Sequence, residues 1–190
     1  SEIIANEALF QRIDTLWQNR NKLGLNKEEA RILMLTHRNF VRSGAALQGV
    51  AKERMKEIKS RLSVLGTNFS QNLLADERDW FMSLAEADME DLPDFLIAAA
   101  KAAAKEKGLE GAIITLSRSI VVPFLQFSSR RDLRERAYKA WTARGNNSGK
   151  TNNSVLAQEM LALRQEMAAL LGYPDFASFK LETEMAKTPQ

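Results

Sequence analysis

A single histidine, His37, and the absence of cysteine decide most of what this chain can do chemically by itself. A zinc centre takes three or four ligands from Cys, His and carboxylate side chains. One histidine without cysteine supplies no Cys/His set, and the two-histidine helix motif HExxH cannot be written. Cys–His nucleophilic catalysis is excluded on the same count. A Ser–His–Asp arrangement would have to pass through His37, and nothing in its neighbourhood points that way. The ring is expected on a helix, half buried or at the surface. The close acidic groups are Asp88 with Glu90 and Asp91, and Glu182 with Glu184. Acid–base work needs such carboxyls buried and converging on a pocket. These stand in polar, turn-like sequence and read as caps and surface groups. No G-x-G-x-x-G or G-x-x-x-x-G-K-[ST] loop occurs to cradle a phosphate. The reading is therefore no catalytic residue, no metal ligand set and no cofactor within this chain.

Arg130, Arg131, Arg134 and Arg136 form the densest basic cluster. A nucleic-acid surface needs basic side chains with aromatic or groove-reading partners. Here Arg131 precedes Glu135, and Asp132 precedes Arg136, at the spacing of pairs along one helix face. The cluster reads as a solvated, partly self-paired surface, with no nucleic-acid partner. Asn68-Phe69-Ser70 fits a glycosylation triplet, but a core-facing Phe69 inside a helix argues against its use.

The elements that hold these residues follow from pattern. The chain has 190 residues, 45% apolar and 27% charged, with a net charge of +3, which is ordinary globular composition. Charge is positive over 1–75 and 111–150 and negative over 76–110 and 151–190, with no block uniform enough for a tail. No stretch approaches the ~20 apolar residues that span a bilayer. The opening SEIIANEALF lacks the basic start of a signal peptide. Together with zero Cys this fits a reducing, cytoplasmic setting with no membrane partner.

Leu9, Ile13 and Leu16, with Phe10 and Trp17, mark a first helix that Leu23-Gly24-Leu25 is expected to end. Asn26 and Glu29 form a capping-box pattern before a helix bearing Ala30, Leu33, Met34, Phe40 and Val41. Ser43-Gly44 should kink or interrupt it. Ala51, Met55, Ile58, Leu62, Leu65 and Phe69 make one narrow seam on a long helix, suited to packing between antiparallel helices. Residues 80–84 and 112–116 are the strand-like runs, bridged by a helix from Pro93 to Gly108. Ile120–Phe127 is helical in length. Ser129 with Asp132 should open the next helix, carrying Leu133, Ala137 and Trp141, and Gly145 should stop it. Residues 145–149 read as a flexible loop. Asn152 or Asn153 caps a helix bearing Leu156, Met160, Leu163, Met167 and Leu170, which Gly172 ends. A last helix starts at Asp175 with Phe176, Phe179 and Leu181. The fold class is mainly α: a bundle of long antiparallel helices with at most one short β-hairpin.

Several segments together carry a resemblance. They are LFQRIDTLWQNRNKLGLNKEEARIL at 9–33, FVRSGAALQGVAKERMKEI at 40–58, LGTNFSQNLLAD at 65–76 and LPDFLIAAA at 92–100. The most specific are TLSRSIVVPFLQFSSRRDLRERAYKAW at 115–141 and MLALRQEMAALLGYPDFASFKLETEMAKTP at 160–189. With these the chain resembles the amino-terminal part of a thimet-oligopeptidase/neurolysin-type zinc metallopeptidase, nearest the bacterial peptidyl-dipeptidase Dcp branch. MEDLP at 89–93 departs from it, where a Gly is expected before the Leu-Pro.

The resemblance implies a fragment, residues 1–190, of a larger two-lobed helical peptidase. Members of the family hydrolyse short peptides with one zinc ion, held by the histidines of HExxH and a downstream glutamate. That catalytic domain is expected to be missing here, so no catalytic or metal residue is carried over, and the substrate-binding residues are unknown. What is implied is one wall of a deep channel that admits only short peptides. The expected partners are the missing carboxyl-terminal domain and short peptide substrates, with possible self-association through Phe176, Phe179, Leu181 and Met185. A stand-alone helical scaffold or interaction module, and a degenerate non-catalytic relative, are the alternatives.

Overall fold

A computed structural model describes residues 2–190, the side chains of Glu2 and Ala5 excepted. In chain order the elements are α1 (Glu2–Ala5), α2 (Glu7–Gln18), α3 (Lys27–Arg42), α4 (Gly49–Asp79), β1 (Phe81–Leu84), α5 (Asp94–Glu106), β2 (Ala112–Thr115), α6 (Arg118–Phe127), α7 (Arg131–Thr142), α8 (Ser154–Leu170) and α9 (Phe176–Leu181). Single-turn 3-10 segments stand at Arg20–Lys22 and Glu86–Met89. The chain is mainly helical, with one pair of short strands, as its periodicity requires. It forms two compact units. One is built from the residues up to Ser63 together with Met160–Gln190, the other from Val64–Glu159.

In the first unit α2 starts at Asn6, whose side-chain oxygen accepts the Leu9 N–H at 2.9 Å. The helix closes at Gln18, earlier than Leu23-Gly24-Leu25 suggests. Side chains at its end explain the difference. Asn19 Nδ2 donates to the Thr15 carbonyl and Arg20 to the Trp17 carbonyl, each at 2.8 Å, and a 3-10 turn follows. Carbonyls that are already satisfied have no need of another helical turn. The capping box at Asn26 forms in full. Asn26 Oδ1 accepts from Glu28 N and Glu29 N, and Glu29 Oε2 accepts the Asn26 N–H at 2.9 Å. At the other end of α3, Gly44 takes φ +82°. This lets Ala45 N reach the Phe40 carbonyl at 3.0 Å and Gly44 N reach Val41 at 2.8 Å, the paired bonds of a Schellman stop. A Cβ there would also meet Met55 Cγ at 2.9 Å, so glycine is needed twice over. Helices α2 and α3 pack antiparallel through rings: Phe10 on Phe40 at 6.0 Å and Trp17 on His37 at 4.9 Å between centroids. Phe40, Met55 and Ile58 are buried.

Along α4 the seam residues Ala51, Met55, Ile58, Leu62, Leu65 and Phe69 are all buried or half-buried, as their spacing dictates. Leu156, Met160, Leu163, Met167 and Leu170, the periodic positions of α8, are half-buried in the same way. Gly172, at φ +83°, is the left-handed stop.

The second unit is organised by β1 and β2, which pair antiparallel with Met82 opposite Ile114 and Leu84 opposite Ala112. Those four side chains point into one core with Leu92, Leu96, Ala100, Ile120, Val121, Phe124 and Ala137, contributed by α5, α6, α7 and the turn before α5. Alternation along β1 follows the strand period of two: Met82 and Leu84 are buried, Phe81 and Ser83 exposed. Pro123 lies within α6 and deletes one helical hydrogen bond, while Ile120, Val121 and Phe124 are buried around it. The start of α7 corrects the sequence reading, since Ser129 provides no cap. Its neighbour Ser128 is the buried one. The Ser128 hydroxyl accepts the Arg130 N–H at 3.2 Å, and its carbonyl accepts from the Arg134 guanidinium.

Candidate functional site

The most concentrated polar construction in the second unit surrounds Asp76, in the last turn of α4. Its Oδ2 accepts the Gly145 N–H at 2.7 Å and Asn147 Nδ2 at 2.9 Å, and its Oδ1 accepts the Thr151 hydroxyl at 2.6 Å. Asn153 is 3% exposed. Its amide exchanges hydrogen bonds with Asn72 at 2.8 Å and the Phe69 carbonyl at 3.1 Å, and its backbone N–H reaches the Gly145 carbonyl at 2.7 Å. A Cβ on Gly145 would stand 2.8 Å from both Asn153 Nδ2 and Leu73 Cδ2. Residues 145–149, which composition marks as a flexible loop, are thus fastened to α4 by one carboxylate. Turn residues report where the chain bends and do not report what holds it. Asn152, not the buried Asn153, lends its side chain to the α8 N-terminus, accepting the Ser154 N–H at 2.8 Å. Beside this staple opens a cleft of about 450 Å³, lined among others by Asp76, Trp80, Leu116, Arg144 and Asn147. Arg144 pairs with Glu77 and lies 5.4 Å over the Trp141 ring.

The first unit has a second knot. Arg42, at the end of α3, donates to the Tyr173 hydroxyl at 3.1 Å, to the Phe179 carbonyl at 2.6 Å and to the Glu182 carboxylate. Tyr173 in turn donates to Glu182 at 2.6 Å, and the Arg42 guanidinium sits 4.1 Å over the Phe179 ring. Burial, and then the Glu182 carboxylate, raise the Tyr173 phenol above its ordinary pKa. A phenol kept protonated is a donor, so the knot is positional and has no free base. Arg54 and Glu166 form a bidentate pair at 2.6 and 2.9 Å, which lowers the Glu166 carboxyl. Arg42→Ala removes three hydrogen bonds and a cation–ring contact together. We expect a loss of about 2 kcal/mol in urea unfolding, against about 1 for Tyr173→Phe, which removes a single hydroxyl.

The residues weighed from sequence fall as follows. His37 is half-buried between Trp17 and Phe10, with Nε2 2.9 Å from Asp14 Oδ1. Asp88 caps Ala85 N at 2.9 Å and receives Arg130, while Glu184 meets Lys180. Within the arginine cluster Arg130 is ion-paired, and not in the i, i+4 pattern that the spacing suggests. Asp132 takes Arg130, and Glu135 takes Lys139. Arg130 reaches Asp132 from the turn before α7, and that fork-to-fork geometry outcompetes a pair along the helix. Phe176 and Phe179 are half-buried beneath Arg164 and Arg42, and Leu181 is half-buried too. Of the apolar surface expected at the end of the chain only Met185 stands open, at 99% exposure. Among the described residues no three His, Cys, Asp or Glu side chains gather to hold a metal ion.

Residues 124–190, from within α6 to beyond α9, match Peptidase family M3. The chain is 35% identical to oligopeptidase A of Escherichia coli K12 over 190 residues, covering 97% of this chain and 28% of that protein. It is 32% identical to the dipeptidyl carboxypeptidase of the same organism, covering all of this chain and 28% of that protein. Over nearly its whole length the chain is similar to these two peptidases. The organellar oligopeptidase A of Arabidopsis thaliana is 30% identical, over 95% of this chain and 24% of its own length. The chain thus spans about a quarter of the length of the relatives it matches. Their similarity reaches the oligopeptidase A and the dipeptidyl carboxypeptidase branches at nearly equal identity. The M3 match takes in one side of each knot: Gly145, Asn147 and Thr151 in one, Tyr173 and Glu182 in the other. Asp76 and Arg42 lie before it. The zinc implied by the family does not fit the residues present, since His37 is the sole histidine and is engaged with Asp14. In the described residues no helix is long and apolar enough to cross a membrane.

Proposed function

We propose that residues 1–190 are the amino-terminal helical region of an M3 zinc metallopeptidase that hydrolyses short peptides in the cytoplasm. The region forms one wall of the substrate channel and is not catalytic by itself. The observation that carries this reading is the pairing of two coverages. Similarity to oligopeptidase A runs through 97% of this chain yet takes in 28% of the relative. The zinc site and its general base then belong to the remaining, carboxyl-terminal part, which is the chief partner of this region. The two knots suit a wall: each fixes a turn or a helix end rigidly, and neither leaves an unpaired base or nucleophile. Self-association of the chain would run through Met185 and not through the two phenylalanines.

The test replaces the matching region of Escherichia coli oligopeptidase A with this chain. The hybrid is expected to cleave a fluorogenic short peptide in a zinc-dependent manner, whereas the chain alone shows no turnover. A folded hybrid that binds zinc but cleaves nothing, or a chain that cleaves by itself after repurification, overturns the reading.

A further inference from the structure

In the first unit a cleft of about 270 Å³ lies between the start of α2, the turn after α3 and one face of α4. Its lining includes Lys52, Lys56 and Lys59, which fall at i, i+4 and i+7 and so share one side of the helix. The floor is apolar, made by Ile4, Ala45 and Met55, and Gly44 keeps the backbone close above Met55. Among the described residues the acidic side chain of the lining is Glu7, in the first turn of α2. Lys52 Nζ holds its carboxylate at 2.9 Å, and the Glu7 side chain is 65% exposed. The hydrogen bond from Lys52, its charge, and the further charge of Lys56 lower the Glu7 carboxyl. Lys56 also meets Glu53 at 2.7 Å, with both ends well exposed, and Lys59 donates to the Ser43 carbonyl at 2.6 Å.

Glu7 therefore occupies, from within the chain, the place where an outside anion would meet the Lys52 ammonium within the field of Lys56. Exposed on a first helical turn, it leaves by rotating its own side chain. With Glu7 swung out, Lys52, Lys56 and Lys59 stand against Glu53 among the described residues, a surplus of two positive charges. That matches a dianion, and the apolar floor suits a short hydrocarbon body attached to it. We propose that this cleft binds a small phosphate monoester, its phosphate on Lys52 and Lys56 in place of the Glu7 carboxylate and its apolar part on Met55. The site lies outside both knots and does not depend on the peptidase reading.

The proposal is tested by isothermal titration of the chain with n-butyl phosphate at fixed ionic strength, with inorganic phosphate and butyrate as comparison ligands. Saturable one-to-one binding is expected, tighter for n-butyl phosphate than for either. Lys52→Gln and Lys56→Gln should each weaken it about twofold to fivefold, the range of an exposed ion pair. Glu7→Gln, which removes the competitor, should tighten it by a similar factor. These opposite signs cannot both come from a general loss of fold, and circular dichroism of each variant checks the helices. The proposal is overturned by no saturable binding up to about 10 mM, by equal affinity for inorganic phosphate, or by weaker binding in Glu7→Gln.

Discussion

Asp76→Ala should cost about 2–4 kcal/mol of stability, seen as a lowered urea midpoint with an unchanged slope. The carboxylate takes three donors, from Gly145, Asn147 and Thr151. Thr151 and Asn147 keep each other at 3.0 Å after the change, but the Gly145 N–H is left in a buried residue without its acceptor. An unmet buried donor carries its full desolvation penalty. Asp76→Asn keeps one oxygen and should fall between the variant and the parent. Hydrogen exchange gives the local readout: amides of 145–153 should lose protection in Asp76→Ala, while those of β1 and β2 keep it. Unchanged protection of that loop would show that Asn153 holds it unaided.

Phe124→Ala is the second large effect, expected at about 3–5 kcal/mol. The ring is fully buried within the cluster that includes Met82, Leu96, Ile114 and Ala137. Its loss removes transfer free energy and leaves a cavity between elements from four parts of the sequence. The backbone around it has little freedom to collapse, since Pro123 precedes it and the Ser128 turn closes α6. Phe124→Leu retains most of the volume and should cost about 1–1.5 kcal/mol. A Phe124→Ala loss below the cost of Phe124→Leu would mean that the core repacks around the gap.

How much of this was legible can be judged from particular residues. The seam from Ala51 to Phe69 and the run from Leu156 to Leu170 needed only the 3.6-residue period, because burial on one face is a local constraint. The capping box at Asn26 was legible for the same reason, as its partners lie within three residues. The pairing of residues 80–84 with 112–116 was legible because their aromatic and β-branched composition makes them the two strand-like runs of a helical chain. Asp76 was not legible. It reads as one of several acids near the end of a long helix, and its partners lie 69 to 75 residues away. The Arg42 knot escaped in the same manner, across separations of 131 to 140 residues. The misassigned pairs of the arginine cluster make a finer point. Spacing along a helix lists which pairs are permitted, and a turn outside it can supply a better one.

The separation between Asp76 and its loop also has a meaning in time. A ribosome adds about 5–20 residues per second, amino terminus first. Sixty-nine residues separate Asp76 from Gly145, the first of its donors, so roughly 3–14 s pass between synthesis of the carboxylate and synthesis of any partner for it. For that interval the end of α4 has only its own sequence to hold it, and the loop that later fastens there arrives as a late guest. A nascent chain paused between those two points carries Asp76 without the three donors that fasten to it in the finished protein.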